Sequence, residues 1–262
     1  MKYIVNFIRI IVGGLFIFSG FVKAIDPLGT SYKMHDYFAA FGTLGMTGFW
    51  EQMNSLSVPV SVIMIVVEMA AGIALLTGWR PKFTVWILFA MTVFFTVLTG
   101  FTYLSGFCPS FLFAVFSMLL TVLVVLSAAT WNSSKRNLIS GITLLGLIAY
   151  LLLMKYGSLL FTCEFTESKM KVTDCGCFGD FIKLKPWQTF YKDIVLDVLI
   201  FILVAGVKHI KPIFKSGLNN KVVFGATAIS ILFCFSNFMW GLPIVDFRPY
   251  KIGNNIRELR QM

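Results

Sequence analysis

The sequence predicts an all-α fold, a polytopic transmembrane helix bundle of about seven helices. Three observations carry that expectation. Of the 262 residues 58% are hydrophobic and only 13% charged, where soluble domains carry about 25% charged residues. Several apolar stretches reach the roughly 20 residues that cross a bilayer. Lys and Arg are spread unevenly over the segments between those stretches, the mark of a chain with a fixed sidedness in a membrane.

Seven spans follow in order: Ile4–Val22, Val58–Gly78, Phe83–Leu104, Ser110–Thr130, Leu138–Met154, Ile194–Val207 and Val222–Leu242. The first reads as an uncleaved helix, because Arg9 interrupts the run early and no small-residue cleavage site follows Phe18. Lys23 and the pair Asp26-Pro27 close it. Gly78-Trp79-Arg80-Pro81 separates the second span from the third, since Gly and Pro stop helices. Trp131-Asn132 and Lys135-Arg136 separate the fourth from the fifth. The sixth is the shortest and spans a bilayer only if it begins near Tyr191. Between the first two spans, Tyr32, Tyr37, Phe38, Phe41, Phe49 and Trp50 alternate with glycines. Such aromatics settle at the membrane–water interface, and a short interfacial or re-entrant helix over Tyr32–Phe41 is expected.

Orientation follows from Lys/Arg density. The N-terminus through Arg9, Trp79–Lys82, Trp131–Asn137 and Lys208–Lys221 hold 10 Lys/Arg in 34 residues and no acid. The remaining connections hold 12 Lys/Arg in about 100 residues, mixed with acids. The first set is therefore expected in the cytoplasm of a bacterial cell, with the C-terminus on the outer side of the inner membrane. The net charge of +10 thus serves topology and contact with anionic lipid headgroups, and the partner it implies is the lipid bilayer rather than nucleic acid. The organisation expected is three helices over 1–104 with an outer loop at 26–57, a helical hairpin at 105–160, an outer loop at 161–192, two helices at 193–242 and an outer tail at 243–262.

Five cysteines are present: Cys108, Cys163, Cys175, Cys177 and Cys234. The first four fall at or beyond the outer face, where disulfides persist. Cys234 falls inside a span and reads as a small packing residue. Cys175-Gly176-Cys177 is the sharpest motif. A disulfide closed across one residue is strained, and strain makes it labile and suited to exchange. Lys171 and Lys183 flank the motif with positive charge, opposed by Asp174 and Asp180. Two other readings stay open: structural bonds from Cys175 and Cys177 to Cys163 and Cys108, or a zinc site of Cys163, Cys175, Cys177 and His35. The spacing matches no zinc motif, so no metal is expected. Shared sidedness also allows a relay, in which one cysteine pair meets a soluble thiol partner and the other a membrane acceptor such as quinone.

Two acids lie within spans. Glu68 sits in the middle of the second and Asp197 one turn into the sixth. A carboxylate at the bilayer centre costs about 2.5–3.5 kcal/mol on insertion scales, so such residues face other helices or a wet cavity and mark candidate sites. Arg9 and Lys23, near opposite ends of the first span, are expected to pair or to snorkel. Gly13-Gly14, Gly20, Gly72 and Gly78 allow close helix approach.

The chain resembles the DoxX/MauE group of bacterial membrane proteins. RIIVGGLFIFSGFVKAIDP (9–27) and EMAAGIALLTGWRPK (68–82) carry the likeness in the first part, DCGCFGDFIKL (174–184) in the second, and DFRPYKIGNNI (246–256) resembles the tail of longer relatives that continue into a thioredoxin-like domain. The chain departs from the pattern between Cys108 and about Leu160, where two extra spans stand in place of a short loop. The resemblance implies a DoxX-like four-helix core plus extra helices, and a redox-associated role: DoxX-type proteins are linked to quinone-coupled sulfur oxidation, and MauE to disulfide formation during methylamine utilisation. The expected function is a thiol–disulfide or quinone-linked accessory for periplasmic proteins, with Cys175 and Cys177 as the redox pair, Cys163 and Cys108 as a relay, and a periplasmic thioredoxin-like partner. The rivals are a non-enzymatic assembly subunit of a redox complex and a proton-coupled carrier working through Glu68 and Asp197.

Overall fold

The computed structural model describes residues 2–43, 47–106, 142–143, 145–146, 172 and 184–239. These residues form α1 (Lys2–Ile25), α2 (Pro27–Gly42), α3 (Thr47–Ser55), α4 (Ser57–Thr77), α5 (Pro81–Ser105), α6 (Pro186–Ala205), a single 3-10 turn (Val207–His209) and α7 (Ser216–Met239). There is no strand among them. Four helices are long and apolar enough to cross a membrane: α1, α4, α5 and α7. They coincide with the first, second, third and seventh expected spans. The fourth and fifth expected spans lie outside the described residues, apart from short helical pieces at 142–143 and 145–146.

The sixth span is corrected in length. α6 begins at Pro186, well before Tyr191, and its 20 residues extend about 30 Å. The apolar run understated it because Lys192, Asp193 and Asp197 interrupt the hydropathy of its first half. Asp193 is buried and both acids are bonded to α5, so these charges are compatible with a helix inside the bundle.

The interfacial helix is also longer than expected, and there are two. Pro27 starts α2 at a position where its missing N–H costs nothing, and Asp26 caps it by accepting from Gly29 N at 2.9 Å. α2 is then tied inward: Tyr37 Oη and Thr102 Oγ1 lie 2.7 Å apart, and Ser31 Oγ donates to Ser57 Oγ at 3.2 Å. α3 buries none of its residues, but Trp50 stacks on Phe38 and tilts against Phe41. Met34, Tyr37, Phe38, Ala40, Leu98, Phe101 and Val172 close this end of the bundle.

At the other end the core is aliphatic: Val5, Ile8, Val12, Leu75, Leu88, Ile200 and Leu203 are buried together with Phe16 and Phe89. α1 and α4 cross closely here. A Cβ on Gly72 would stand 2.9 Å from Gly13 O and 3.0 Å from Ile17 N, and backbone cannot yield, so only glycine fits. A Cβ on Gly14 would meet nothing within 4 Å, so this glycine is not required by the contact, contrary to expectation.

The C-terminus of α4 is fully satisfied, as a helix end removed from water must be. Gly78, at φ +72°, turns the chain in the left-handed region. Trp79 N donates to Ala74 O at 2.9 Å and Gly78 N to Leu75 O at 3.2 Å. Arg9 supplies the rest: Nε donates to Leu75 O at 2.7 Å, Nη2 to Leu76 O, and Nη1 to Lys211 O at 3.0 Å. Thr77 O accepts from Ile213 N at 2.9 Å. Arg9 therefore does not snorkel; it is held by backbone carbonyls. A guanidinium over the last turn of a helix also complements the negative end of its dipole.

The exposed surface of the helices is apolar. Phe224, Ile229, Leu232 and Phe235 on α7 are 59–68% exposed, an arrangement that suits lipid contact and not water.

Candidate functional site

One set of buried polar residues lies in a layer between the aliphatic core and the aromatic cap. α5 presents Thr92, Thr96 and Thr99, a spacing that lines one helix face. α6 presents Asp193 and Asp197, one turn apart. The two helices run antiparallel, so the stripes meet in opposite order. Thr99 Oγ1 donates to Asp193 Oδ2 at 2.9 Å, and Thr96 Oγ1 donates to Asp197 Oδ2 at 2.6 Å. Asp193 Oδ1 also lies 3.0 Å from Lys192 Nζ. Asp197 Oδ1 is buried with no hydrogen-bond partner among the described residues.

Across this layer α1 meets α4. Lys23 Nζ lies 2.8 Å from Glu68 Oε2 and 3.1 Å from Oε1, and their side chains are 2% and 3% exposed. The ammonium also sits 4.6 Å from the centre of the Phe95 ring, on the face that attracts cations. Lys23 thus turns inward and, of the two expected outcomes, pairs in a buried ion pair instead of snorkelling. The reason is the close α1–α4 crossing, which holds the two side chains within reach and away from the surface.

A cavity of about 80 Å³ separates the two acidic walls. Leu15, Phe16, Ser19 and Lys23 of α1 line it, with Glu68 of α4, Thr92 and Phe95 of α5, and Lys192, Asp193 and Leu196 of α6. Its size bears on the quinone expectation. An apolar cavity that takes up benzene measures about 150 Å³, so this one does not enclose a six-membered ring.

Of the sequence-predicted site residues, Glu68 and Asp197 belong to this layer, on α4 and α6. Cys175, Cys177, Cys163 and Cys108 lie outside the described residues. Cys234 is fully buried against Ala24, Ile65 and Val66 and makes packing contacts, as expected. Sequence reasoning missed Asp193, Thr96 and Thr99. The signal was present in the spacing: acids at 193 and 197 fall one helical turn apart, and hydroxyls at 92, 96 and 99 repeat on one face.

The family model of methylamine utilisation protein MauE matches residues 1–110. The matched segment takes in α1 to α5, and with them Arg9, Lys23, Glu68 and the threonine stripe. The acids of α6 fall beyond it. No curated protein and no solved structure matches the chain.

Proposed function

We propose that this multi-pass membrane protein serves disulfide formation in proteins on the outer face of a bacterial inner membrane, with Cys175 and Cys177 as the exchanging pair. The observation that carries the reading is the burial of Val172. This residue is 4% exposed and packs with Met34, Tyr37, Phe38 and Phe101 at the aromatic end of the bundle. It precedes Cys175 by three residues, and three residues of chain span about 11 Å at most. The aromatic cap is the end opposite Arg9 and the basic Lys208–Lys215 connection, which the Lys/Arg distribution assigns to the cytoplasm. On the outer side, a Cys-Gly-Cys motif would meet soluble partners in an oxidising compartment.

The reaction is an exchange. A thiolate of the partner attacks one sulfur of the Cys175–Cys177 disulfide, and the other sulfur leaves as a thiolate that takes up a proton. The partner's second thiol loses its proton and resolves the mixed disulfide. The partner ends oxidised, Cys175 and Cys177 end as thiols, and electrons and protons balance. A thioredoxin-like protein is the partner class that this chemistry and the resemblance favour. The matched family's name points to methylamine utilisation as the process served.

Thiol trapping in intact cells tests this, with a membrane-impermeant maleimide that retards the protein on gels. The expected result is a Cys175/Cys177 pair that shifts between oxidised and reduced with the thiol balance of the medium, and a mixed disulfide to a soluble protein in Cys175→Ser or Cys177→Ser. A pair fixed in one state under all conditions, with no mixed disulfide from either variant, overturns the proposal in favour of a non-enzymatic assembly subunit.

A further inference from the structure

The Trp79–Lys82 turn is built in a way that joining two helices does not require. Arg80 has φ +37°, in the left-handed region. A glycine takes that conformation without strain and an arginine does not. The guanidinium lies over the indole of Trp79, with Cζ 5.3 Å from the ring centroid. The indole is itself held in place. Its Nε1 donates to Asn220 Oδ1 of α7 at 2.7 Å, and its ring meets Phe83 of α5 and Phe224 of α7 edge-on, at 6.2 and 6.0 Å between centroids. Phe224 follows Asn220 by four positions, so both lie on one face of α7. Phe83 and Phe224 are largely exposed and continue an apolar surface away from the turn. Beside Phe224, a Cβ on Gly225 would meet nothing within 4 Å, which leaves that flank of α7 open.

The charge at this place is of one sign. Arg80 and Lys82 belong to the turn, Lys221 follows Asn220, and all three are exposed. The segments that meet here, Trp79–Lys82 and Lys208–Lys221, contain no acid. None of the three cations forms an ion pair among the described residues. Like charges gathered beside an apolar surface attract an anion that carries apolar chains.

We propose that Trp79, Arg80 and Lys221 form a binding site for one anionic phospholipid, with the phosphate on Arg80 and the acyl chains along Phe83 and Phe224. A guanidinium fork matches two phosphate oxygens. An indole with phenyl rings beyond it follows the order of a lipid, headgroup first and chains deeper. Charge selects the class of lipid, because a zwitterionic headgroup brings an ammonium of its own to the cluster. The bound lipid joins the α4–α5 turn to α7, the least buried of the four spanning helices. The site is independent of Cys175 and Cys177.

Native mass spectrometry of the detergent-purified protein, titrated with phosphatidylglycerol or phosphatidylcholine, tests this, with thermal unfolding alongside. A basic residue near a headgroup contributes about fivefold in affinity. One phosphatidylglycerol is therefore expected to be retained at least about tenfold more tightly than phosphatidylcholine. Arg80→Gly relieves the backbone while removing the guanidinium. It should melt close to the wild type in phosphatidylcholine, yet lose about fivefold of the preference. Lys221→Gln should lose a similar amount. Lys208→Gln removes a charge from the same end but on the turn after α6, and should leave the preference unchanged. Equal retention of the two lipids by the wild type, or a preference that survives Arg80→Gly, overturns the proposal. So does an equal loss in Lys208→Gln, which marks diffuse attraction to a basic surface. If Arg80→Gly melts well below the wild type, Lys221→Gln against Lys208→Gln decides.

Discussion

Lys23 and Glu68 form a bidentate ion pair inside the bundle, at 2.8 and 3.1 Å, with neither side chain more than 3% exposed. Removing one member of a buried pair leaves the other charge uncompensated and costs about 3–5 kcal/mol, whereas replacing both by apolar groups of similar volume is often nearly neutral. Lys23→Met and Glu68→Leu are each expected to destabilise by that amount, and the double variant to recover most of the loss. Denaturation of the purified protein in mixed micelles measures this. A double variant no better than the worse single one would mean that the residues act separately.

The second prediction concerns Arg9. Its guanidinium spans three carbonyls, Leu75 O, Leu76 O and Lys211 O, from two different segments. A lysine keeps the charge but has no planar fork. Arg9→Lys should strand at least one buried carbonyl, at about 1–3 kcal/mol, and loosen the connection between α6 and α7. The same unfolding measurement reports the first effect. Faster proteolysis within Lys208–Lys215 reports the second, and unchanged proteolysis there would show that Arg9 secures α4 alone.

The spans were legible in the sequence, and the site only in part. α1, α4, α5 and α7 are long apolar runs, the first two ended by Asp26-Pro27 and Gly78, and the length of such a run is read directly. α6 was read short because its charges look like loop residues until α5 supplies Thr96 and Thr99 to receive them. Glu68 and Asp197 were found because an acid in an apolar run is conspicuous. Their partners were not: Lys23 lies 45 positions from Glu68 in the chain, and the register that joins them is set by the contact of Gly13 with Gly72, a packing detail that no local pattern encodes. Asp193 stood at the edge of an expected loop and was passed over for that reason. The expected roles of Cys175, Cys177, Cys163 and Cys108 fall outside the described residues and rest on the motif and the resemblance.

The third prediction tests the α5–α6 seam. Thr96→Val and Thr99→Val keep the shape of the side chains and remove the hydroxyls that reach Asp197 and Asp193. A hydrogen bond to a charged group contributes about 1.5–3 kcal/mol. Thr99→Val should cost less than Thr96→Val, because Asp193 retains the ammonium of Lys192 at 3.0 Å while Asp197 has no cation beside it and its Oδ1 accepts no hydrogen bond among the described residues. Equal losses, read from the same denaturation curves, would mean that Lys192 gives Asp193 no compensation.

The last prediction fixes sidedness. Three of the four basic segments meet at one end of the bundle: Arg9 bonds to Lys211 O, and Ile213 N bonds to Thr77 O beside the Trp79–Lys82 turn. The fourth, Trp131–Asn137, lies outside the described residues. A common end is what the positive-inside rule requires if these segments share the cytoplasm. A phosphatase that is active only outside the cytoplasm should work when fused after Thr43 and fail when fused after Lys82, and a fluorescent protein that folds only inside should do the reverse. The opposite pattern would put the aromatic cap and Val172 in the cytoplasm. The disulfide reading would then fall with it, because the thiols of that compartment are kept reduced.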